Sequence, residues 1–447
     1  MLTTIQNALK TKEIRMKLLY VLMALIVVRV GCNIPIPGVN SRVMEELFAS
    51  NQSLGFLDVM TGGSFSRMSI FALNITPYIT ASIIFQLLTI AIPRLEEMQK
   101  DGEDGRKKIN EYTRYLSIAL AIIEGVAMII GFRNQELFVD GGYTSMIVAV
   151  AALTAGAAFL MWLGEQITEK GVGNGISIIL LINIVARIPS DLANLYDTYI
   201  KGALDNSNVT NAIVATVIIL GVIIAMFVFI VFLQDGERRI PVQYAKKIQG
   251  RKVTGGQSSH IPLKVNTAGV IPVIFASSMM SLPVVIASFA GIQPATGPNA
   301  TIFQKFLTLC SQSEWFKMGS WGEFKYTLGV VIYIALIIFF AYFYTSVTFN
   351  PLEISNNMKK QGGFIPGIRP GKPTTEYLTT VLNSIILIGA IGMIIVCVLP
   401  IFFSGAFGAD VSFSGTSLII VVGVVIETLK QLESLVIVRH YKGFLGN

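Results

Sequence analysis

The chain has 447 residues, of which 53% are hydrophobic and only 14% charged, with a formal net charge of +7. Soluble domains carry about a quarter charged residues, so this composition excludes a soluble globular protein and indicates a membrane chain. Cys32, Cys310 and Cys397 have no CxxC spacing and His260 and His440 stand far apart, which argues against a disulfide framework, a metal or haem site, and a redox enzyme.

Residues 1–17 are polar and amphipathic, with no small-residue cleavage site after an apolar core, so the first apolar run is expected to be a retained spanning helix. Apolar windows then fall at 18–36, 69–92, 115–132, 144–167, 176–188, 211–233, 265–290, 326–347, 377–403 and 414–432. They are continuous runs, not short alternating segments, which predicts helices and not a barrel. The fifth is short, with Leu192 and Leu195 available to extend it. The expected fold is an all-α membrane protein of ten transmembrane helices with both termini on one side.

Placing the N-terminus inside leaves 25 Lys and Arg residues on that side and eight outside, counting Arg187 at the outer end of the fifth window among the eight, and sets Arg29 apart as a charge within a span. Loops rich in Lys and Arg stay cytoplasmic, so both termini are expected there. The predicted organisation is an N-terminal segment 1–17, a first half 18–200, an external loop 201–210, a second half 211–432, and a cytoplasmic tail 433–447. Five spans precede the external loop and five follow it, the arrangement expected of an inverted repeat with its functional seam between the halves. Two inside loops, 234–264 and 348–376, are long and basic; charge alone satisfies the positive-inside rule, whereas their length suggests a docked partner.

Along the chain, Pro35-Ile-Pro-Gly38 ends the first span. The segment 54–67 is apolar but too short to cross, so it reads as re-entrant or as a surface helix, with Gly62 and Gly63 as breakers. Arg29 lies near the outer end of its span, where snorkelling to the interface is the simplest expectation. Glu124 admits three readings: lining water, bonding a neighbouring helix, or sitting protonated in protein. Thr76, Thr80, Ser82 and Gln86 in the second span, with Thr267, Ser277, Ser278 and Ser281 in the seventh, suit close helix packing or a seam that can part. Ile79 and Ile83, like Leu180 and Ile184, are four apart and share a helical face; they are either ordinary core or lipid-facing residues or the lining of a dewetted constriction. Gly171-Val-Gly-Asn-Gly175 is a tight turn that lacks the Lys-Ser/Thr of a phosphate loop, and no Walker motif occurs elsewhere, so any driving energy is expected from a partner. Scarcity of paired midplane charges argues against an ion-coupled transporter, and a lone Glu124 does not make an intramembrane enzyme.

Four stretches in order, SIFALNITPYITAS at 69–82, MWLGEQITEKGVGNGIS at 161–177, KVNTAGVIP at 264–272 and PGIRPG at 366–371, resemble the signature segments of the SecY/Sec61-alpha family, and the similarity runs along essentially the whole chain. The resemblance implies a clamshell of two five-helix halves around an hourglass pore that passes unfolded polypeptides across the membrane or releases helices sideways into lipid. It implies a sealing ring of Ile79, Ile83, Leu180, Ile184, Ile274 and Ile420, with Leu180 standing where the family often has isoleucine. A plug over residues 55–67 is implied, including Gly55, Phe56, Leu57, Val59, Met60, Gly62, Gly63, Phe65 and Arg67. Spans two and three facing seven and eight become a lateral gate with Gln86, Glu124 and Ser278 as polar contacts. Arg238, Arg239, Lys246, Lys247 and Arg369 become a docking face for the SecA motor and the ribosome, with ribosomal RNA touching the cytoplasmic loops. SecE and SecG subunits, preprotein signal sequences, nascent membrane helices and membrane lipids complete the implied partners. The family implies no catalytic residue, cofactor or metal, and a bacterial cytoplasmic-membrane location.

Overall fold

The computed structural model describes residues 9–44, 58, 61–132, 138, 142–195, 209–244, 247–249, 252–254, 258–289, 292, 295, 300–312, 315–316, 325–407 and 415–445. Its helices are α1 Lys12–Gly31, α2 Thr76–Ala91, α3 Pro93–Lys100, α4 Glu103–Gly131, α5 Tyr143–Lys170, α6 Gly175–Leu195, α7 Val209–Asp235, α8 Ile271–Phe289, α9 Ile302–Cys310, α10 Leu328–Thr348, α11 Pro351–Lys360, α12 Lys372–Phe407 and α13 Gly415–Leu445. Ten of these (α1, α2, α4 to α8, α10, α12 and α13) are the transmembrane helices of the fold; α3, α9 and α11 are short connectors. Among the described residues four segments are by length and composition alone apolar enough to cross a membrane, Glu103–Gly131, Tyr143–Lys170, Leu328–Lys360 and Lys372–Phe402, and the bent pair Thr76–Thr89 with Pro93–Gln99 makes a fifth if taken as one span.

Two helix boundaries differ from the hydropathy windows. The second window opens at residue 69, yet residues 69–75 form turns and α2 starts only at Thr76, with Pro77 in its first turn. Apolar composition there reflects burial of a folded-back segment, not a helix. Likewise residues 265–270 are turns ahead of α8. At the far end of α2, Pro93 forces Ile92 into an extended conformation (φ −114°, ψ 109°), and the chain bends by 106° into α3.

Within the first half α2, α4, α5 and α6 pack in sequence, with α1 against α5 and α6; within the second, α8, α10 and α12 pack in sequence and α7 lies against α12 and α13. The halves meet along two seams, α6 against α13 and α4 against α8. α5 and α6 approach so closely that a Cβ on Gly175 would overlap the Gly164 carbonyl oxygen. The outward surfaces are apolar: Leu22, Met23 and Ile26 on α1, Ile123 and Ile130 on α4, and Ile147 on α5 are all exposed, as lipid-facing positions are.

A small sheet stands outside the spans. β1 Glu237–Tyr244 pairs antiparallel with β4 Ser258–Lys264, Glu237 opposite Lys264 and Gln243 opposite Ser258, and on its other edge with β5 Gly363–Phe364. A separate hairpin, β2 Lys247–Gln249 with β3 Lys252–Thr254, extends from it. The two long loops are therefore one platform, whose core is Ile240, Val242, Leu263, Met358, Ile365, Leu378, Val381 and Ile385. The alternation Ile240, Val242, Tyr244 is the period-two signal that an all-α expectation passes over.

Candidate functional site

α6 organises the site. Counted at 100° per residue, Leu180, Asn183, Ile184 and Arg187 fall within an arc of roughly 100°, so one face of this helix carries first apolar and then polar groups.

The apolar part is the hub where four helices from both halves converge. Ile79 of α2, Leu180 and Ile184 of α6, Ile274 of α8 and Ile420 of α13 all belong to a single hydrophobic cluster, backed by Ile75, Ile178, Ile179 and Val424. Leu180, Ile184 and Ile420 are buried, whereas Ile79 and Ile274 are partly exposed. Ile83 is half-buried and lies outside this cluster, one turn beyond Ile79, or about 6 Å along α2. The cluster brings together branched aliphatic surface from α2, α6, α8 and α13, held by dispersion contacts that have no fixed partner.

The polar part faces the segment that precedes α2. Asn183, fully buried, donates from Nδ2 to Asn74 Oδ1 at 3.2 Å. Arg29, expected to snorkel outward, instead turns into the protein: its Nη1 donates to the Gly62 carbonyl and to Asn183 Oδ1, each at 3.4 Å. A cation beside an apolar core is held better by two buried acceptors than by reaching for an interface from mid-bundle. Arg187, counted above among the outer cations, lies within α6 and forms an ion pair with Asp58, whose side chain is 6% exposed. Asp58 Oδ1 also accepts from the Ser66 amide at 2.9 Å, and the Asp58 carbonyl accepts from the Gly63 amide at 3.0 Å. Ser64 Oγ donates to the Thr61 carbonyl at 2.7 Å, tightening the same turn.

Residues 61–67 thus fold as a buried turn, and Phe65 packs into a cluster formed with α4 and α5. Gly62 and Gly63 have φ of +68° and +82°; a Cβ on Gly62 would stand 2.8 Å from Arg29 Nη1 and 2.9 Å from the Asn183 backbone. Both ends of the segment are tied: Ile36 N donates to Met68 O and Ile70 N to Ile34 O, each at 3.0 Å, with Pro35 bridged to Ser69. Arg67 is exposed and bonds Asn33. Gly55, Phe56, Leu57, Val59 and Met60 lie outside the described residues.

Of the three expected gate contacts, Glu124 is partly buried on α4 while Gln86 on α2 and Ser278 on α8 are exposed. α4 and α8 meet, yet among the described residues no hydrogen bond links these three side chains. Instead Ser277, one residue earlier, bonds Tyr333 Oη at 3.0 Å and ties α8 to α10. On the platform, Arg238, Arg239 and Arg369 are exposed; Arg239 pairs with Glu237 at 2.6 Å. The Arg369 carbonyl accepts from Thr374 Oγ1 at 2.8 Å and Gly371 O from Ser355 Oγ at 3.0 Å, so the turn that bears the guanidinium is pinned at both ends. Lys246 lies outside the described residues, and Lys247 opens β2.

Sequence reasoning passed over Asp58, Asn74, Asn183 and Arg187. Asn183 and Arg187, spaced by four in an otherwise apolar helix, were the available signal; their partners, 109 and 129 residues away, were not.

A ten-helix bundle in two halves, with an aliphatic cluster between them and a folded-back segment packed against it, is the fold of a protein-conducting membrane channel. It superimposes with a TM-score of 0.63 on a SecY channel whose plug domain stabilises the closed state and maintains a membrane seal, at 17% identity and covering 94% of this chain and 91% of that one. The TM-score is 0.59 against Sec61 in the canine ribosome-channel complex from the endoplasmic reticulum, again at 17% identity over 94% and 91% of the two chains. The family model for SecY matches residues 69–429, and the protein translocase subunit SecY of Streptomyces galbus is 44% identical over 466 residues, covering 100% of both chains. The chain belongs to the SecY family.

Proposed function

We propose that the chain is the pore subunit of a bacterial Sec translocase: unfolded polypeptides pass through the hub around Leu180 and Ile184, and apolar helices leave between α4 and α8. The convergence of Ile79, Leu180, Ile184, Ile274 and Ile420 from both halves into one cluster is the observation that carries this reading. A seal of this kind adapts to any side chain threading it, since it offers no directional bond to break. Residues 55–67 act as the plug, and the contacts of Arg29 with Gly62 and of Arg187 with Asp58 support a closed resting state. A signal helix that partitions into lipid at the α4–α8 seam favours the open arrangement, and the gain offsets the cost of parting the helices.

The chain works as a conduit; energy comes from SecA or from a translating ribosome docked on the platform through Arg238, Arg239, Lys246, Lys247 and Arg369. Ribosome docking is in keeping with the ribosome-channel complex of the canine Sec61 neighbour. SecE and SecG pack on the apolar outer surface, the platform and both termini face the cytoplasm, and the membrane is the bacterial plasma membrane.

The test is thiol crosslinking in membranes between a secretory precursor stalled midway and single cysteines in a chain lacking Cys32, Cys310 and Cys397. Ile184→Cys should crosslink only when the signal sequence is functional, and lipid-facing Ile147→Cys should not. Equal reaction at both positions would remove Ile184 from the path.

A further inference from the structure

We propose that the Arg187–Asp58 ion pair is a latch that couples the seal to the plug, so that any displacement of α6 at the hub releases the segment around Gly62–Arg67. The inference rests on the plug reading above and adds to it the particular bond that transmits opening.

Both partners serve two structures at once. Arg187 sits three residues after Ile184, a rise of about 4.5 Å on the same helix, so the hub residue and the guanidinium move as one body. Asp58 pairs with Arg187 through one carboxylate oxygen and holds the Ser66 amide with the other, at 2.9 Å. Its backbone carbonyl takes the Gly63 amide at 3.0 Å, and Thr61 Oγ1 donates to the same carbonyl at 3.2 Å. The carboxylate therefore both organises the turn at residues 61–66 and attaches it to the pore helix. Arg187 Nη1 lies 3.7 Å from where a Cβ on Gly63 would be, so the guanidinium covers the glycine pair directly. Among the described residues, Asp58 is the carboxylate that pairs with this guanidinium, whose Nε is buried without a hydrogen-bond partner. Asp58 is buried and Arg187 half-buried, and a pair of this sort is short-ranged and destabilised by loss of either member, the property a two-state element needs. Arg29 makes a second tie, its guanidinium donating to the neutral Gly62 carbonyl and to Asn183 Oδ1, each at 3.4 Å, which a sliding α6 weakens more gradually.

The test is the resting ion conductance of the full-length chain, purified with its co-purifying subunits and fused into planar bilayers. Asp58→Asn keeps an acceptor for Ser66 and removes the charge; Arg187→Met keeps length and removes the charge. Each should raise resting conductance about tenfold or more, Arg187→Lys should stay near the parent, and the double variant should be no worse than either single one. Single variants at the parental level, or a double effect equal to the product of the two, would overturn the latch. Deletion of residues 55–66 separates the two claims: if it raises conductance while the point variants do not, the latch alone falls, and if it too is silent the plug reading falls with it. Monodisperse elution of each variant establishes that a leak comes from a folded channel, and a variant that fails it is replaced by Asp58→Glu, for which near-parental conductance is expected and a full leak would contradict the pair.

Discussion

The two closures on α6 sit within two turns of each other and are built from opposite chemistry. Leu180 and Ile184 meet aliphatic surface from α2, α8 and α13, while Asn183 reaches the Asn74 side-chain amide and Arg187 the Asp58 carboxylate, both in the segment ahead of α2. Apolar contact is proportional to area and tolerant of exchange, so the hub can close around whatever enters it. Hydrogen bonds and a buried ion pair are directional and fail within a few tenths of an ångström to an ångström, so the segment is either seated or not. The difference teaches that apolar and directional contacts need not be alternatives: in the proposed channel one helix would serve as gasket and latch together.

The largest expected effect abolishes the comparison by moving α6 itself. Gly175→Val drives a branched side chain into the Gly164 carbonyl and Ile167, and it should eliminate folded protein from membranes, a loss of several kcal/mol (~3 or more). Quantitative blotting after detergent extraction checks this; near-normal accumulation would mean that the α5–α6 contact can relax.

Next, Ile184→Asn places an amide in the hub with no partner, at a cost of about 1–3 kcal/mol to the closed state. Resting conductance should rise, whereas Ile184→Leu, which keeps volume and polarity, should leave it within about 1.5 kcal/mol of the parent. If Asn and Leu behaved alike, packing polarity would not be what seals. Gly62→Val acts on the polar closure alone. Its φ of +68° and the nearness of Arg29 and Asn183 predict a penalty on the order of 1–3 kcal/mol, seen as faster proteolysis of the 58–67 segment with the bundle intact.

Smaller still, Arg369→Glu touches neither closure. Motor-driven export in inverted vesicles should fall several-fold while resting conductance and assembly stay at parental levels; equal loss of assembly would assign Arg369 to folding. Ile83→Ala should have the least effect on conductance, because Ile83 lies outside the hub, whereas Ile79→Ala opens a gap in it.

Much of this was legible beforehand. Continuous apolar runs give ten helices, and the spacing of Leu180 and Ile184 gives a shared face. Helix starts were less legible where an apolar segment is buried without being helical, as at 69–75, because hydropathy reports removal from water and not the backbone state. The joining of the two basic loops through β1 and β5 depends on pairing Gln243 with Phe364 across more than a hundred residues, which no local pattern encodes. Arg29 and Arg187 were visible as charges in or near spans; their roles depend on Gly62 and Asp58 arriving from a turn between α1 and α2, a long-range contact absent from the sequence pattern.

The central claim is that residues of both halves shut one pore. It is tested most directly by replacing Ile79 and Ile274 with cysteines in a chain without native thiols and bridging α2 to α8 with a short, reducible bis-thiol reagent in export-competent vesicles. The account predicts that bridging occurs at rest, that preprotein passage stops, and that reduction restores it. Passage through the bridged channel at the unbridged rate would contradict it, because a chain cannot cross a hub whose opposing walls are held together.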